Sequence, residues 1–293
     1  MGRSSGSVVL VHGLRTSRTM WRAQVETLTA AGHRVVAIDL PGHGRRWEER
    51  FTFDGAIDAV SAAVDGLGGR ALVVGLSLGG YVSIAHAAGH PQQVAGLVAA
   101  GCSSPPVRPV VDAWLLAALA IAHLPDAGAR LNQVLVDRTL TPTAAADVGA
   151  GGYTYGVVVD ALREVRGTDP IGDLARVQAP VWLVNGRFDH FRTQERRFLA
   201  ACRDGRLVVV PRAKHLVSLD APVAFDRVLL EALARLDGAA SAPPQAPRAH
   251  AADDARGVRH DDDVVPEPRE DLRRDLARVA AAEVQPVPPE HRA

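Results

Sequence analysis

A chain of 293 residues, 47% of them hydrophobic, is long enough to bury a sizeable core and suits one large globular domain or two small ones. Its 33 Lys plus Arg balance 33 Asp plus Glu, so no excess of positive charge calls for nucleic acid or an anionic membrane surface. The two cysteines, Cys102 and Cys202, lie far apart with no metal-ligand spacing, which argues against a disulfide framework and fits a reducing cytoplasm.

The opening MGRSSGSVVLVHG holds only a short apolar run, too short for the hydrophobic region of a secretory signal. Position 6 is glycine where a myristoylation signal wants Ser or Thr. A strand is expected over Ser7–Val11, a helix over 19–31, a strand over 34–39, a helix over 53–67 and a strand over 71–75. A helix over 78–88 and a strand over Val94–Ala100 follow. Strands this apolar on both faces, alternating with helices, predict an α/β fold: a mostly parallel twisted sheet with helices on both faces.

The alternation stops between about 103 and 172. That segment opens with Pro105, Pro106 and Pro109, continues as helical stretches around Trp114 and carries the pair Tyr153 and Tyr155, the pattern of a helical insertion. Its apolar run AWLLAALAIA, 113–122, falls well short of the ~20 residues that span a bilayer, and the protein is expected to be soluble. The sheet pattern resumes with a strand over 181–185, a helix near 193–202, a strand over 206–210 and a final helix over 222–236. The expected organisation is therefore a core of 1–102 and 173–237, an insertion of 103–172 and a tail of 238–293. The tail is rich in Ala, Pro, Arg and Asp without apolar periodicity and is expected to be disordered. Leu272, Leu276 and Val279 alone have the spacing for a short helix near 269–284.

Chemistry concentrates where the third strand meets the next helix, at GLSLGG, 75–80. A serine at a sharp strand-to-helix turn is held in a strained conformation, and small neighbours let the turn close; Gly75 and Gly79 supply that room. The N–H of Leu78 then points from a helix N-terminus toward any developing negative charge. The competing reading makes Ser77 an ordinary helix N-cap. A serine nucleophile needs a general base and a group that orients it. In an open α/β sheet, ligands bind at the carboxyl ends of the strands. His215 follows the last strand by a short loop, and Asp189 follows the strand before it in the same manner. His190 and His123 compete with His215, and Asp169 and Asp173 with Asp189. His12 is expected to shape the loop after the first strand, and His43 to belong to a turn that prolines and glycines explain. Trp21, Trp114, Tyr153 and Tyr155 are candidates to line a substrate pocket, or else core aromatics.

From about residue 8 to 236 the chain resembles the α/β-hydrolase fold superfamily. The resemblance rests on VLVHG (9–13), DLPGHG (39–44), GLSLGG (75–80), NGRFD (185–189) and KHL (214–216), which come in that superfamily's order and spacing. It implies a catalytic triad of Ser77, Asp189 and His215, in the chain order this fold uses. It also implies a second oxyanion-hole N–H from Leu14 beside that of Leu78, and a cap formed by 103–172 that roofs the pocket. Two departures stand out. The first motif lies almost at the N-terminus, so the antiparallel hairpin that opens many members is absent or lies upstream of Met1. Lys214 precedes the histidine where members usually have glycine, pointing either inward, where it would lower the histidine's pKa, or outward into solvent.

The implied activity is a serine hydrolase acting on a small ester, lactone or thioester, with no metal and no organic cofactor. Carbon–carbon bond hydrolysis, cofactor-free perhydrolysis and hydroxynitrile cleavage share the serine-based site, and a non-catalytic ligand-binding member is a different class of answer. Dehalogenase and epoxide-hydrolase chemistry in this superfamily uses an aspartate nucleophile, against which Ser77 argues.

Overall fold

The computed structural model describes residues 6–241 apart from Pro125 and Ala127. Six strands, β1 (Ser7–Val11), β2 (Arg34–Ile38), β3 (Ala71–Leu76), β4 (Val94–Ala100), β5 (Val181–Gly186) and β6 (Gly205–Val210), make one sheet in the order β2-β1-β3-β4-β5-β6. Every neighbouring pair is parallel, Val9 for instance lying beside both Val36 and Val73. The helices are α1 (Arg22–Ala30), α2 (Phe53–Gly66), α3 (Leu78–Gly89), α4 (Arg108–Ala122), α5 (Ala129–Thr139), α6 (Pro142–Gly149), α7 (Val157–Val165), α8 (Pro170–Arg176), α9 (Glu195–Ala201), α10 (Val217–Asp220) and α11 (Pro222–Ser241).

Successive residues of a strand face opposite sides, so the continuous apolar runs of the central strands feed two cores. Val9, Val11, Val73, Leu97 and Leu183 pack on one face with Val60 of α2, Ile84 of α3 and Phe198 of α9. Val8, Leu10, Leu72, Val74 and Val184 pack on the other with Leu28 of α1 and Phe225 and Leu229 of α11. All these side chains are buried, each worth about 1.5–3 kcal/mol relative to exposure. β2 and β6, at the edges, are only partly covered.

Local chemistry sets the element ends. Thr52, Thr141 and Asp169 cap α2, α6 and α8 by accepting the N–H of Gly55, Ala144 and Gly172, and proline stands in the first turn of α6 and α8. The helix expected over 19–31 divides: Ser17 caps a 3-10 turn, Arg18–Trp21, and α1 begins only at Arg22. The chain between β4 and β5 forms α4 to α8. Within it α4 packs on α7, and α6 on the 3-10 turn after β1. α8 begins at Pro170, inside the segment read as inserted, yet packs against α3 and α9, so the helical layer on the sheet resumes there. α11 continues to Ser241, past the expected end at 236. The remaining tail, 242–293, with the possible helix at 269–284, lies outside the described residues. None of the described helices is long and apolar enough to cross a membrane, and Cys102 and Cys202 are both free.

From β1 the chain moves outward to β2, whereas β3 lies on β1's other side. The loops leaving β1 and β3 therefore diverge and open a crevice at the carboxyl ends of the strands. Residues 12–16 leave β1 there, and Ser77 leaves β3.

Candidate active site

β3 delivers Ser77 at φ 56°, ψ −117°, a left-handed conformation rare for a residue with a side chain. Three contacts hold it: its N–H donates to Ala100 O at 2.8 Å, and its carbonyl accepts from Gly80 N at 2.9 Å and Tyr81 N at 3.2 Å. The turn is too tight for anything but glycine on either side. A Cβ on Gly75 would lie 2.2 Å from Gly79 O, and one on Gly79 would lie 2.3 Å from Val11 O. Although Ser77 occupies the N-cap position of α3, its hydroxyl makes no capping bond. It lies instead 3.0 Å from His215 Nε2.

His215 Nδ1 lies 3.0 Å from Asp189 Oδ1, which also accepts the N–H of Phe191 at 2.8 Å. Burial alone would raise the Asp189 pKa. The hydrogen bond and charge of His215, with the Phe191 amide, outweigh it and hold the carboxyl below its usual range. An ionised acid beside Nδ1 places the imidazole proton there and leaves Nε2 free to accept from Ser77. Glycines again make the approach possible. Gly101, at φ 60°, has its Cβ direction aimed 3.2 Å from His215 Nδ1, and a Cβ on Gly186 would lie 2.0 Å from Lys214 O.

The competitors are placed elsewhere. Asp169 caps α8, and Asp173 pairs with Arg176 at 2.6 Å. His123 ends α4 on the exposed surface. His190 lies beside His215, ring centroids 5.0 Å apart and planes tilted by 45°, but stands 4.0 Å from the Asp189 carboxylate. Lys214 is exposed, its backbone N–H donating to Asp220 at 2.8 Å.

The loop after β1 is anchored from beneath. His12 is fully buried, its Nε2 accepting the Leu40 N–H at 3.0 Å while Nδ1 lies 2.8 Å from Gly13 O. Burial, and then the neighbouring His43, push its pKa down to about 3, so it is neutral at physiological pH. Asp39 joins the loops after β1 and β2 by accepting the N–H groups of Arg18 and Arg45 and pairing with the Arg18 guanidinium. Gly44, at φ 53°, is where a Cβ would strike that carboxylate at 2.4 Å. The turn 39–44 is thus a brace for residues 13–16. Among the described residues the N–H groups of Leu14 and Leu78 donate to no protein acceptor, and both residues border the space beside Ser77. No three His, Cys, Asp or Glu side chains among the described residues are placed to hold a metal ion.

The model of the alpha/beta hydrolase family matches residues 8–228. The chain belongs to that family. It is 30% identical over 244 residues to the pimeloyl-[acyl-carrier protein] methyl ester esterase of Neisseria meningitidis, covering 74% of this chain and 90% of that protein. With lipase LipV of Mycobacterium tuberculosis it shares 38% identity over 114 residues, 37% of this chain and 43% of the lipase. A thermophilic esterase from Thermogutta terrifontis superposes with a TM-score of 0.66 over 80% of this chain and 92% of its own, at 23% identity, a likeness of fold.

Two cavities of this hydrolase meet at Ser77. One, of about 400 Å³, is walled by Tyr81, Val107, Val111, Trp114, Leu162 and Phe191. The other, of about 490 Å³, runs past Arg15, Asn132, Tyr153, Phe191 and His215. Tyr155 borders a third space of about 340 Å³ that shares Leu14, Arg15, Trp114 and Asn132 with these two. Trp21 must be reassigned: it is fully buried, stacked 5.9 Å from Phe225 in the core beneath α11, and borders none of these spaces. Its place in the 3-10 turn aims it inward. Phe191, Arg15 and Asn132 were not singled out from sequence. Phe191 and Arg15 each sit next to a motif residue or two away, at Asp189 and Leu14, while Asn132 carries no local signal.

Proposed function

We propose that this alpha/beta hydrolase is a serine hydrolase that cleaves a small ester, lactone or thioester through an acyl-enzyme on Ser77. The observation that carries the reading is the pair of 3.0 Å contacts linking Ser77 Oγ, His215 and Asp189. Ser77 Oγ attacks the substrate carbonyl as His215 Nε2 takes its proton, forming the new C–O bond and a tetrahedral oxyanion. The Leu14 and Leu78 amides, in the braced loop and at the N-terminus of α3 respectively, receive that charge. On collapse the carbonyl–leaving-group bond breaks, and His215 returns the proton to the leaving alcohol or thiol. A water, deprotonated by His215, then attacks the acyl carbon; the bond to Ser77 Oγ breaks, His215 returns the proton to Oγ, and the acid leaves. Asp189 keeps the imidazole in the tautomer this requires.

In the same reading the segment 103–172 is a cap over a core of 1–102 and 173–237, since α4 and α7 wall the apolar cavity that reaches Ser77. Tyr153, Trp114 and Tyr155 belong to the substrate pocket. The Neisseria relative, named for a methyl ester of an acyl group on a carrier protein, adds an acyl methyl ester to the substrates worth testing.

The test is hydrolysis of p-nitrophenyl esters of increasing acyl length, with a lactone and an acyl thioester, by wild type and Ser77→Ala. The reading expects at least one class to turn over and the variant to lose ~10⁴-fold or more in kcat. Equal rates for variant and wild type contradict it, and failure of every class in the folded wild type turns the assignment to the other serine chemistries.

A further inference from the structure

We infer that Arg15 and Asn132 form a subsite for a carboxylate at the end of the substrate remote from the scissile carbonyl. The inference rests on reading the space beside Ser77 as the substrate site, and it specifies the class of substrate. Arg15 directly follows Leu14 and borders the cavity of about 490 Å³ together with Ser77 and His215. It also borders the third space, of about 340 Å³. Its backbone is left-handed at φ 67°, held by the Thr154 N–H donating to its carbonyl at 3.3 Å. Strain of this kind persists where the surrounding structure enforces it, and it gathers at ligand sites.

Among the described residues the Arg15 guanidinium meets no acceptor. No carboxylate of those residues pairs with it and no side chain bonds it, although ten arginine–carboxylate pairs form among them. Burial lowers its pKa, with Tyr155 and Tyr153 the groups that act against that. An arginine stays protonated, so a half-buried one without a counter-ion is a cation waiting for an anion. The acid that lines the same cavity, Asp220, is bound to the Lys214 amide and feels Lys214 and His215 rather than Arg15.

Asn132 points to the same place independently. It is 5% exposed, borders both of the spaces that Arg15 borders, and its Nδ2 is buried without a partner. Buried polar groups in native proteins are ordinarily satisfied, and one left bare beside a cavity marks where a ligand's polar atom is received. A planar guanidinium grips a carboxylate through two parallel N–H donors, and the adjacent carboxamide adds a polar contact. In the cavity of about 400 Å³ the wall of Val107, Val111, Leu162 and Phe191 offers no charge and takes the apolar part of the molecule. The substrate class is thus an ester or thioester whose acyl or alcohol portion ends in a free carboxylate, such as a half-ester of a dicarboxylic acid.

Binding to Ser77→Ala tests this without depending on turnover. Calorimetric titration would compare monomethyl and dimethyl esters of glutarate, adipate and suberate. At the best-fitting chain length, the monomethyl ester should bind at least about tenfold tighter, the size of one charge-assisted hydrogen bond. That ratio should collapse toward one in Ser77→Ala/Arg15→Gln and survive in large part in Ser77→Ala/Arg15→Lys. Equal binding of the two ester types, no binding of either, or a ratio unchanged by Arg15→Gln overturns the subsite. A wild type that fails to hydrolyse any ester while these ratios hold would instead count against the serine-hydrolase reading.

Discussion

Asp189 contributes to the site through charge and orientation more than through bulk. Its side chain is enclosed, its Oδ1 serves both His215 and the Phe191 amide, and its ionised form fixes which imidazole nitrogen bears the proton. Asp189→Asn keeps the shape and one acceptor but removes the charge that selects that tautomer. It should lower kcat by ~10³–10⁴ while leaving the thermal midpoint within a few degrees, checked by ester hydrolysis beside a melting curve. A loss below about tenfold would mean that the carboxylate does not orient the base. The three linked side chains were legible in the sequence because each follows the end of an apolar strand within a short motif, GLSLGG, NGRFD or KHL, a pattern local in the chain. Arg15 and Asn132 were not, since a charge or a carboxamide without a partner among the described residues becomes visible only once its neighbours are placed in space. Trp21 was left open between pocket and core for the complementary reason: an aromatic near a motif says nothing of which way its turn faces.

Among the elements, the junction of β3 with α3 bears the tightest packing. Because a Cβ on Gly79 would meet Val11 O at 2.3 Å and His12 O at 2.5 Å, both backbone atoms of the adjacent β1 loop, nothing flexible can yield. Gly79→Ala should therefore destabilise the fold by at least ~2 kcal/mol and disturb the amides around Ser77. Gly66 offers the opposite case. It ends α2, is exposed, and has nothing within 4 Å of a Cβ at an ordinary φ. Gly66→Ala should raise stability by ~0.5 kcal/mol through lost freedom of the unfolded chain. Urea unfolding of the two variants beside wild type checks both, and a Gly79→Ala protein as stable as wild type would show that the elbow tolerates a side chain. Strand positions were read from sequence almost to the residue, because two-sided burial makes parallel strands continuous apolar runs. The helical insertion was read only as helical: its five helices, and the return of α8 to the sheet, depend on contacts with α3 and α9 that no local pattern encodes.

For the molecule as a whole, the buried histidines set the response to acid. His12 titrates near 3 in the fold against about 6.5 unfolded, and burial lowers His43 and His86 as well. The unfolded chain therefore binds more protons below pH 6.5, and the stability these neutral rings contribute is present above that pH and drains away as it falls toward 3. Each ring that stays neutral steepens the loss by up to ~1.4 kcal/mol per pH unit. Depressed carboxylates, Asp39 and Asp189, act in the same direction but only below about pH 4, where unfolded aspartates take up protons. Unfolding free energy from urea titrations should fall steadily between pH 6.5 and 5, and His12→Gln should flatten that slope while lowering stability at pH 7. A wild-type stability that is level across this interval would contradict the burial of neutral His12. The same histidine joins scale to scale, since the ring that makes the fold acid-sensitive also fastens the loop that presents Leu14 and Arg15.

The central claim is that Ser77 is the nucleophile, and covalent capture reads it most directly. A fluorophosphonate should label the folded wild-type chain once, with the adduct on the peptide containing Ser77. Labelling should disappear in Ser77→Ala and slow at least ~10²-fold in His215→Ala. A folded wild type that takes up no label, or one labelled equally well without Ser77, would contradict the account.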